Sequence, residues 1–362
     1  MFTNGLVFLP SERFLTMKQS PSTDLPIFYS DGYRYQLQTP GHPECPQRVQ
    51  SIMERLTLEG LADGVREPVP AALEDILAVH AASLPAELNG DYEGALDPNC
   101  YHRPKTYDTA LLAAGGTIQG AALAVAMGAP TLVLPRPPGH HAGRDYYGGF
   151  CYFNNVAVAA EHLLKTAGLA RVAIIDIDVH HGNGTAAIFA QRPDVLYVST
   201  HQWGIYPGTG ALDDCGSGAG EGFTVNLPLL GGEGAATYDR ILSELIVPIL
   251  HQYQPEALLV SMGLDAHYMD PLAGINLTSQ CLSDACLTLH AVAQDLCGGR
   301  IVYVLEGGYH LEAIAETTAA VVAGLTGRAL RTPLRFNRGE QRPGNTEVLR
   351  LYREVQARYW AL

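Results

Sequence analysis

The sequence predicts an α/β fold built on a parallel sheet, and three features predict it. Seven short runs rich in β-branched and aliphatic residues recur at 26–30, 131–134, 172–179, 195–200, 223–227, 257–262 and 301–305. Most are apolar without alternation, as strands are when both faces of a sheet are covered. Stretches rich in Ala, Leu and Glu separate them, so strand and helix alternate in the manner of a doubly wound fold.

In chain order, the 26–30 strand is followed by a helix predicted over 107–127. The 131–134 strand then runs into a Pro/Gly loop, and a helix over 155–167 leads to the strand at 172–179. The 195–200 and 223–227 strands flank a Gly-rich stretch at 216–222 that reads as a surface loop. A helix over 235–252 precedes the 257–262 strand, one over 280–296 precedes 301–305, and one over 311–325 follows it. Residues 332–347 are rich in Arg and Pro, and a last helix is predicted over 346–360. No repeat, low-complexity tract or linker divides the chain. One domain over 1–362 is expected, with a motif-bearing core at about 26–326 and a tail at 327–362.

The 362 residues include 37 Asp/Glu and 23 Lys/Arg, a formal charge of −14, with 47% hydrophobic and 17% charged residues. That balance describes a folded chain long enough to bury a large core. It disfavours nucleic acid and anionic membrane as partners, because both need basic patches, and it is compatible with a cationic substrate. Seven cysteines, at 45, 100, 151, 215, 281, 286 and 297, form no Cys-x-x-Cys pair. This reads as a reducing, cytoplasmic setting rather than a disulfide framework or a cysteine zinc ribbon. Met1 to Pro10 lack the basic start of a signal peptide, and no segment is expected to be long and apolar enough to span a bilayer.

In open parallel sheets, ligands bind beyond the carboxyl ends of the strands. Five predicted strand ends here deliver reactive groups: His140-His141 after 131–134, Asp176-Ile177-Asp178-Val179-His180 at 172–179, Ser199 and His201 at the end of 195–200, Asp265 after 257–262, and Tyr309 after 301–305. One shared site is the economical reading. Asp176 and Asp178, at two-residue spacing, are expected on one side of an extended strand. Two buried carboxylates repel unless a cation lies between them; the bland alternative is a pair of structural acids capping loops. Asp178, His180 and Asp265 would give three ligands and an open position, the pattern of catalytic zinc, though iron(II) accepts the same donors. Adjacent His140 and His141 read as a base and an acid beside activated water. Asp176 would orient His140 and Asn183 would orient His141, an anionic and a neutral partner that separate their basicities. His181, His80, His102, His251 and His290 read as packed or hydrogen-bonded structural residues. Tyr309, after two glycines, would aim a phenol at a developing oxyanion. Gly149 and Phe150 would bring backbone and an aromatic wall to the substrate, and Cys151 is given no catalytic role.

The motifs Arg136-Pro137-Pro138-Gly139-His140-His141-Ala142, Gly149-Phe150-Cys151-Tyr152-Phe153-Asn154-Asn155, Asp176-Ile177-Asp178-Val179-His180-His181-Gly182-Asn183-Gly184-Thr185, Tyr206-Pro207-Gly208-Thr209-Gly210 and Glu306-Gly307-Gly308-Tyr309 resemble the zinc-dependent histone deacetylase family. The likeness is to its class II branch and to bacterial amidohydrolases and acetylpolyamine amidohydrolases. His42-Pro43-Glu44-Cys45-Pro46-Gln47-Arg48 resembles the family's N-terminal signature, and the motifs run in order to Leu325. The resemblance implies a single arginase-like domain with a central eight-stranded parallel sheet. It implies one catalytic zinc on Asp178, His180 and Asp265, His140 as general base, His141 as its partner, and Tyr309 as the transition-state tyrosine. It also implies structural potassium or sodium ions, one held by Asp176, Asp178, His180 and Ser199, the other by backbone oxygens of Phe189, Arg192, Val195 and Phe223. Phe150 and Tyr206 are implied as tunnel walls, and Leu272 as a residue at the mouth.

The function so implied is removal of acetyl or other short acyl groups from N-acyl-lysine side chains by attack of metal-bound water. An acetylpolyamine substrate is the alternative; Leu272 lacks the acidic gatekeeper of the polyamine-selective branch, while Asp91, Glu93 or Asp97 could line the rim. A binuclear manganese ureohydrolase needs Asp-x-His-x-Asp where this chain has Asp176-x-Asp178-x-His180. A non-catalytic binder of acyl ligands would predict a broken set, and His140, His141 and Tyr309 are all present. A homo-oligomer is compatible with the family, whose members occur as monomers, dimers and tetramers.

Overall fold

All seven predicted strands pair into one sheet, with a two-residue eighth strand at its edge. The computed structural model describes residues 24–36, 38–337 and 344–362. Met1 to Pro10 and part of the 332–347 segment lie outside the described residues. The elements are β1 (Ile27–Phe28), α1 (Gln47–Glu59), β2 (Val65–Arg66), α2 (Leu73–Leu77), α3 (Ser83–Leu88), β3 (Gly94–Asp97), β4 (Cys100–His102), α4 (Thr106–Met127), β5 (Thr131–Val133), α5 (Asn155–Lys165), β6 (Val172–Asp176), α6 (Asn183–Phe189), β7 (Val195–Gln202), β8 (Thr224–Leu229), α7 (Ala235–Ile241), α8 (Val247–Tyr253), β9 (Leu258–Met262), α9 (Ser279–Cys297), β10 (Ile301–Leu305), α10 (Leu311–Thr326) and α11 (Thr346–Gln356).

The sheet order is β2-β1-β5-β10-β9-β6-β7-β8, and every pairing is parallel. Alternate strand residues feed two cores. Ala173, Ile175, Tyr303 and Leu305 pack under α1, α9 and α10, while Val172, Ile174, Val302 and Val304 pack under α4 and α5. Covering both faces is why the strands read as continuous apolar runs, and each fully buried Val, Ile or Leu contributes ~1.5–3 kcal/mol relative to exposure. From β6 the chain steps outward to β7 and β8, then crosses back to β9 and β10 on the other side. That reversal opens a crevice at the carboxyl ends of β6 and β9, where Asp176 pairs with Ser261.

Four expectations are corrected. Helix α4 is 22 residues long and contains an 18-residue window apolar enough by length and composition to cross a membrane. Here 56% of that window is buried in the protein, and the helix packs on α5 and the sheet. β6 stops at Asp176 instead of reaching 179. The helix expected over 235–252 is interrupted by a π-helical turn at Leu242–Ile246, just before Pro248, whose missing N–H cannot bond back along an α-helix. The last helix ends at Gln356 rather than 360. The 216–222 stretch is a loop containing one short turn, Gly218–Gly220, and Trp360 Nε1 donates to the Gly222 carbonyl at 3.2 Å.

Candidate active site

The Asp176–His180 segment turns because its own carboxylates fold it. The Asp178 N–H donates to Asp176 Oδ1 at 3.2 Å, and the His180 N–H donates to Asp178 Oδ1 at 2.8 Å. These Asx-type turns compete with strand geometry, so the expected extended strand gives way to a bend. The two carboxylates consequently face different partners. Asp176 Oδ2 meets His140 Nδ1 at 3.1 Å and accepts the Tyr197 hydroxyl at 2.9 Å. Asp178 Oδ1 lies 3.2 Å from His180 Nδ1, which lies 3.1 Å from Asp265 Oδ2.

Asp178, His180 and Asp265 form a buried cluster able to hold a metal ion. Donors on a tetrahedron at about 2.0–2.1 Å from an ion stand about 3.3 Å apart, and both measured edges are close to that. Burying a carboxylate costs several kcal/mol unless it is compensated, and backbone supplies part of the compensation. Gly307 N–H donates to Asp178 Oδ2 at 2.7 Å and Val179 N–H to Asp265 Oδ1 at 2.8 Å. Gly307 is required there: a Cβ would fall 2.1 Å from Asp265 Oδ2. The donor set and its spacing fit a divalent cation.

The tandem histidines are oriented differently, as their partners imply. His141 Nδ1 lies 2.8 Å from Asn183 Oδ1, and the two rings are 4.0 Å apart. Burial opposes charge on His140, yet Asp178 and Asp176 outweigh it and hold the imidazole up at about 10. Burial, with His140 and His180 nearby, holds His141 well below its usual value. Burial raises Asp176 and Asp265, whereas His140 and His180 overcome burial and lower Asp178. The protein's own charges thus make His140 the more basic of the pair, and a dication among the aspartates counters those same charges.

Tyr309 follows β10 on the same loop as Gly307. Its ring stands edge-on to Phe150 at 5.9 Å and under the Arg48 guanidinium at 4.9 Å, and its N–H donates to Asp270 Oδ2 at 2.7 Å. Phe150 has φ +70, a left-handed backbone that a bulky residue rarely adopts, and His42 packs on its ring at 4.5 Å. Gly149 lies so close to His141 that a Cβ would fall 2.1 Å from the ring. Tyr206 stands edge-on to His141 at 4.9 Å and is 40% exposed, and Leu272 is 37% exposed. Tyr206 therefore flanks His141, Phe150 lies between His42 and Tyr309, and Leu272 is tied through Asp270 to Tyr309. Asp97 approaches this wall: a Cβ on Gly148 would meet the Tyr206 hydroxyl at 2.9 Å and Asp97 Oδ2 at 3.7 Å.

Ser199 lies beside Asp176 in the β6–β7 register. Phe189, Arg192 and Val195 belong to the α6–β7 turn, away from the crevice, and Phe223 joins them through its carbonyl, which accepts the Tyr197 N–H at 2.9 Å. His181 bonds Thr209 at 2.8 Å, and His80 bonds the Gly143 carbonyl at 2.8 Å and the Asn154 N–H at 2.9 Å. Cys151 is fully buried beside His140 and Glu306. Sequence reasoning passed over the support beneath these groups. Arg136 pairs with Glu44 and donates to the Tyr33 and Gln36 carbonyls. Arg48 donates to the Gly308 and Glu306 carbonyls. Glu306 holds the loop before His140. The available signal was charge inside otherwise apolar, Gly/Pro-rich motifs.

The parallel sheet gathers these groups at the carboxyl ends of its strands. Comparison with known proteins names the family. Residues 42–325 match the histone deacetylase domain. A probable deacetylase of Archaeoglobus fulgidus is 39% identical over 319 residues, 85% of this chain and 88% of that protein. A histone deacetylase-like amidohydrolase of Pseudomonas aeruginosa is 38% identical over 82% of this chain and 80% of its own length. The crystal structure of the HDA15 HD domain superposes with a TM-score of 0.84 at 31% identity, covering 93% of this chain and 95% of that one. The chain belongs to the histone deacetylase family, and its eight-stranded sheet is the architecture that the resemblance implied.

Proposed function

We propose that the protein is a zinc-dependent amidohydrolase that removes acetyl or other short acyl groups from N-acyl-lysine side chains. The observation that carries the reading is the convergence of the Asp178, His180 and Asp265 donors with the His140–Asp176 and His141–Asn183 pairs and Tyr309. Asp178, His180 and Asp265 would hold the metal, which when bound polarises the acyl carbonyl and offsets the carboxylate charge that keeps His140 protonated. His140, its Nδ1–H fixed on Asp176, takes a proton from the attacking water at Nε2. Tyr309 donates its hydroxyl hydrogen to the oxygen on which negative charge develops. The proton that His140 takes up is then handed to the departing amine, with the neutral His141, anchored through Nδ1 on Asn183, packed against it at 4.0 Å. The products are a short carboxylate and a free amine. Phe150 and Tyr206 would enclose the acyl-lysine chain.

Structural potassium or sodium ions belong to the same proposal. Asp176, Asp178, His180 and Ser199 would hold one. Phe189, Arg192, Val195 and Phe223 would hold the other through carbonyls. The Phe189 and Phe223 carbonyls each accept one N–H, which leaves a lone pair free.

Leu272, part-exposed, apolar and tied to Tyr309 through Asp270, supports acyl-lysine over acetylpolyamine. Side-by-side turnover of an acetyl-lysine peptide and N-acetylputrescine tests this. The peptide is expected to be the better substrate by kcat/KM, and a preference for N-acetylputrescine would reverse the assignment. Hydrolysis of neither, with metal bound, would overturn the deacylase reading.

A further inference from the structure

One fully buried carboxylate close to the reacting groups has no part in the mechanism above. Glu306 is the first residue after β10 and has 0% exposure. Its Oε2 accepts the backbone N–H of Gly139 at 2.7 Å and of His140 at 3.2 Å, and its Oε1 accepts the Ser261 hydroxyl at 3.3 Å. One side chain therefore ties the ends of β10 and β9 to the loop after β5, at the residue assigned as base. Glu306 is itself held in place, because Arg48 donates to its carbonyl and to the Gly308 carbonyl, with Glu44 beside Arg48.

We infer that Glu306 is a positioning residue for His140. The ring of His140 is fixed at Nδ1 by Asp176, which sets its tautomer and plane. The His140 carbonyl accepts the Thr185 N–H at 3.1 Å, and the N–H side of the loop at Gly139 and His140 is left to Glu306. Two adjacent N–H groups on one side-chain oxygen fix that side of the loop, and an amide oxygen in the same place could accept both. The placement matters because a misplacement of about 1 Å can cost on the order of 100-fold in rate.

His140, Cys151 and Glu306 could alternatively be read as ligands for a second metal, since their donor atoms lie within 4.8 Å of one another. The hydrogen bonds argue against it. Both Glu306 oxygens already accept N–H or O–H donors, and burial raises the Cys151 thiol, which keeps it protonated. The carboxylate is committed to the backbone of the loop.

The inference rests on the deacylase reading of His140, and the test separates the two. In the metal-loaded full-length protein, Glu306→Ala is expected to lower kcat by roughly 10- to 100-fold, with KM for an acetyl-lysine peptide and metal content near wild type. Glu306→Gln, whose amide oxygen can accept both N–H groups, is expected to recover turnover to within about threefold of wild type. A Glu306→Ala enzyme within about threefold of wild type would overturn the inference. So would a Gln variant as impaired as the Ala variant, which would point to charge rather than placement. If the Ala variant does not fold, Glu306→Asp, which withdraws the carboxylate by one methylene, takes its place, and undiminished turnover there has the same overturning force. An independent readout needs no turnover. The downfield His140 Nδ1–H proton resonance, assigned by its loss in His140→Ala, is expected to shift or broaden in the Ala or Asp variant. An unmoved resonance would overturn the positioning role. Wild type without turnover on any acyl-lysine would sink the functional reading instead.

Discussion

Replacing Tyr309 with Phe separates chemistry from folding. The ring packs on Phe150 at 5.9 Å and under Arg48 at 4.9 Å, and the N–H is held by Asp270 at 2.7 Å. A phenylalanine keeps all three contacts. The hydroxyl makes no hydrogen bond among the described residues, so its removal leaves no buried partner unsatisfied. Had it anchored the fold, its loss would cost about 1 kcal/mol, which shows as a thermal shift of a few degrees at most. Its role as oxyanion donor predicts something larger and confined to the rate. Losing one such donor lowers kcat by about 100- to 1,000-fold, or ~2.7–4 kcal/mol of barrier. The assay is initial rates on an acetyl-lysine peptide, with metal content and melting temperature measured on the same preparations. The expected result is a collapse of kcat with both controls unchanged. A Tyr309→Phe enzyme of undiminished kcat, with its metal in place, would remove the phenol from the mechanism.

Two further outcomes follow from the same geometry. Titration of chelator-treated protein with zinc is expected to restore turnover and raise the melting temperature, saturating at one divalent ion per chain; saturation at two would favour the binuclear reading. Acid is expected to destabilise the fold through His80, which is buried and held by burial at about 4. Its ring donates to the Gly143 carbonyl and accepts from the Asn154 N–H, an arrangement that only the neutral form can make. The unfolded chain takes up this proton below its ordinary value of 6.5, while the folded chain refuses it until about 4. Stability is therefore full above pH 6.5 and declines as pH falls toward 4, by up to ~3 kcal/mol. Urea unfolding at stepped pH reads the slope, which His80→Gln should reduce by about one proton. A wild-type profile flat between pH 6.5 and 4 would refute this.

The sheet was legible because its strands are apolar on both faces, and what escaped lacked that signature. Val65 and Arg66 of β2 are exposed edge residues with no apolar run, and the β3–β4 hairpin is short and half-exposed. Helix α1 carries a readable stripe, Val49, Ile52 and Leu56, yet Arg48 is buried on the same helix and looks like a solvent-facing charge in one dimension. Its partners, the Gly308 and Glu306 carbonyls, the Glu44 carboxylate and the Tyr309 ring, account for its burial. The over-extension of β6 has the opposite cause. Its apolar residues continue through Val179, and the turn is dictated by side-chain oxygens of Asp176 and Asp178 acting on the backbone.

Residue type and position at strand ends pointed to the candidate site, because His, Asp and Tyr gathered at five strand ends suit chemistry better than packing. The pairs His140–Asp176 and His141–Asn183 lie at hydrogen-bond distance, one partner anionic and the other neutral. Geometry supplied the reason that Asp176 and Asp178 are not interchangeable. An extended strand would have aimed both at one ion. The bend instead gives Asp176 to His140 and Tyr197, and gives Asp178 to the donor cluster with His180 and Asp265. One carboxylate meets the His140 ring while its neighbour two residues on joins the donor cluster, and the spacing Asp-x-Asp-x-His does both only because the strand ends between them. The binuclear arrangement would need both carboxylates on the metal side, and the hydrogen bonds of Asp176 to His140 and Tyr197 already occupy the one that turned away.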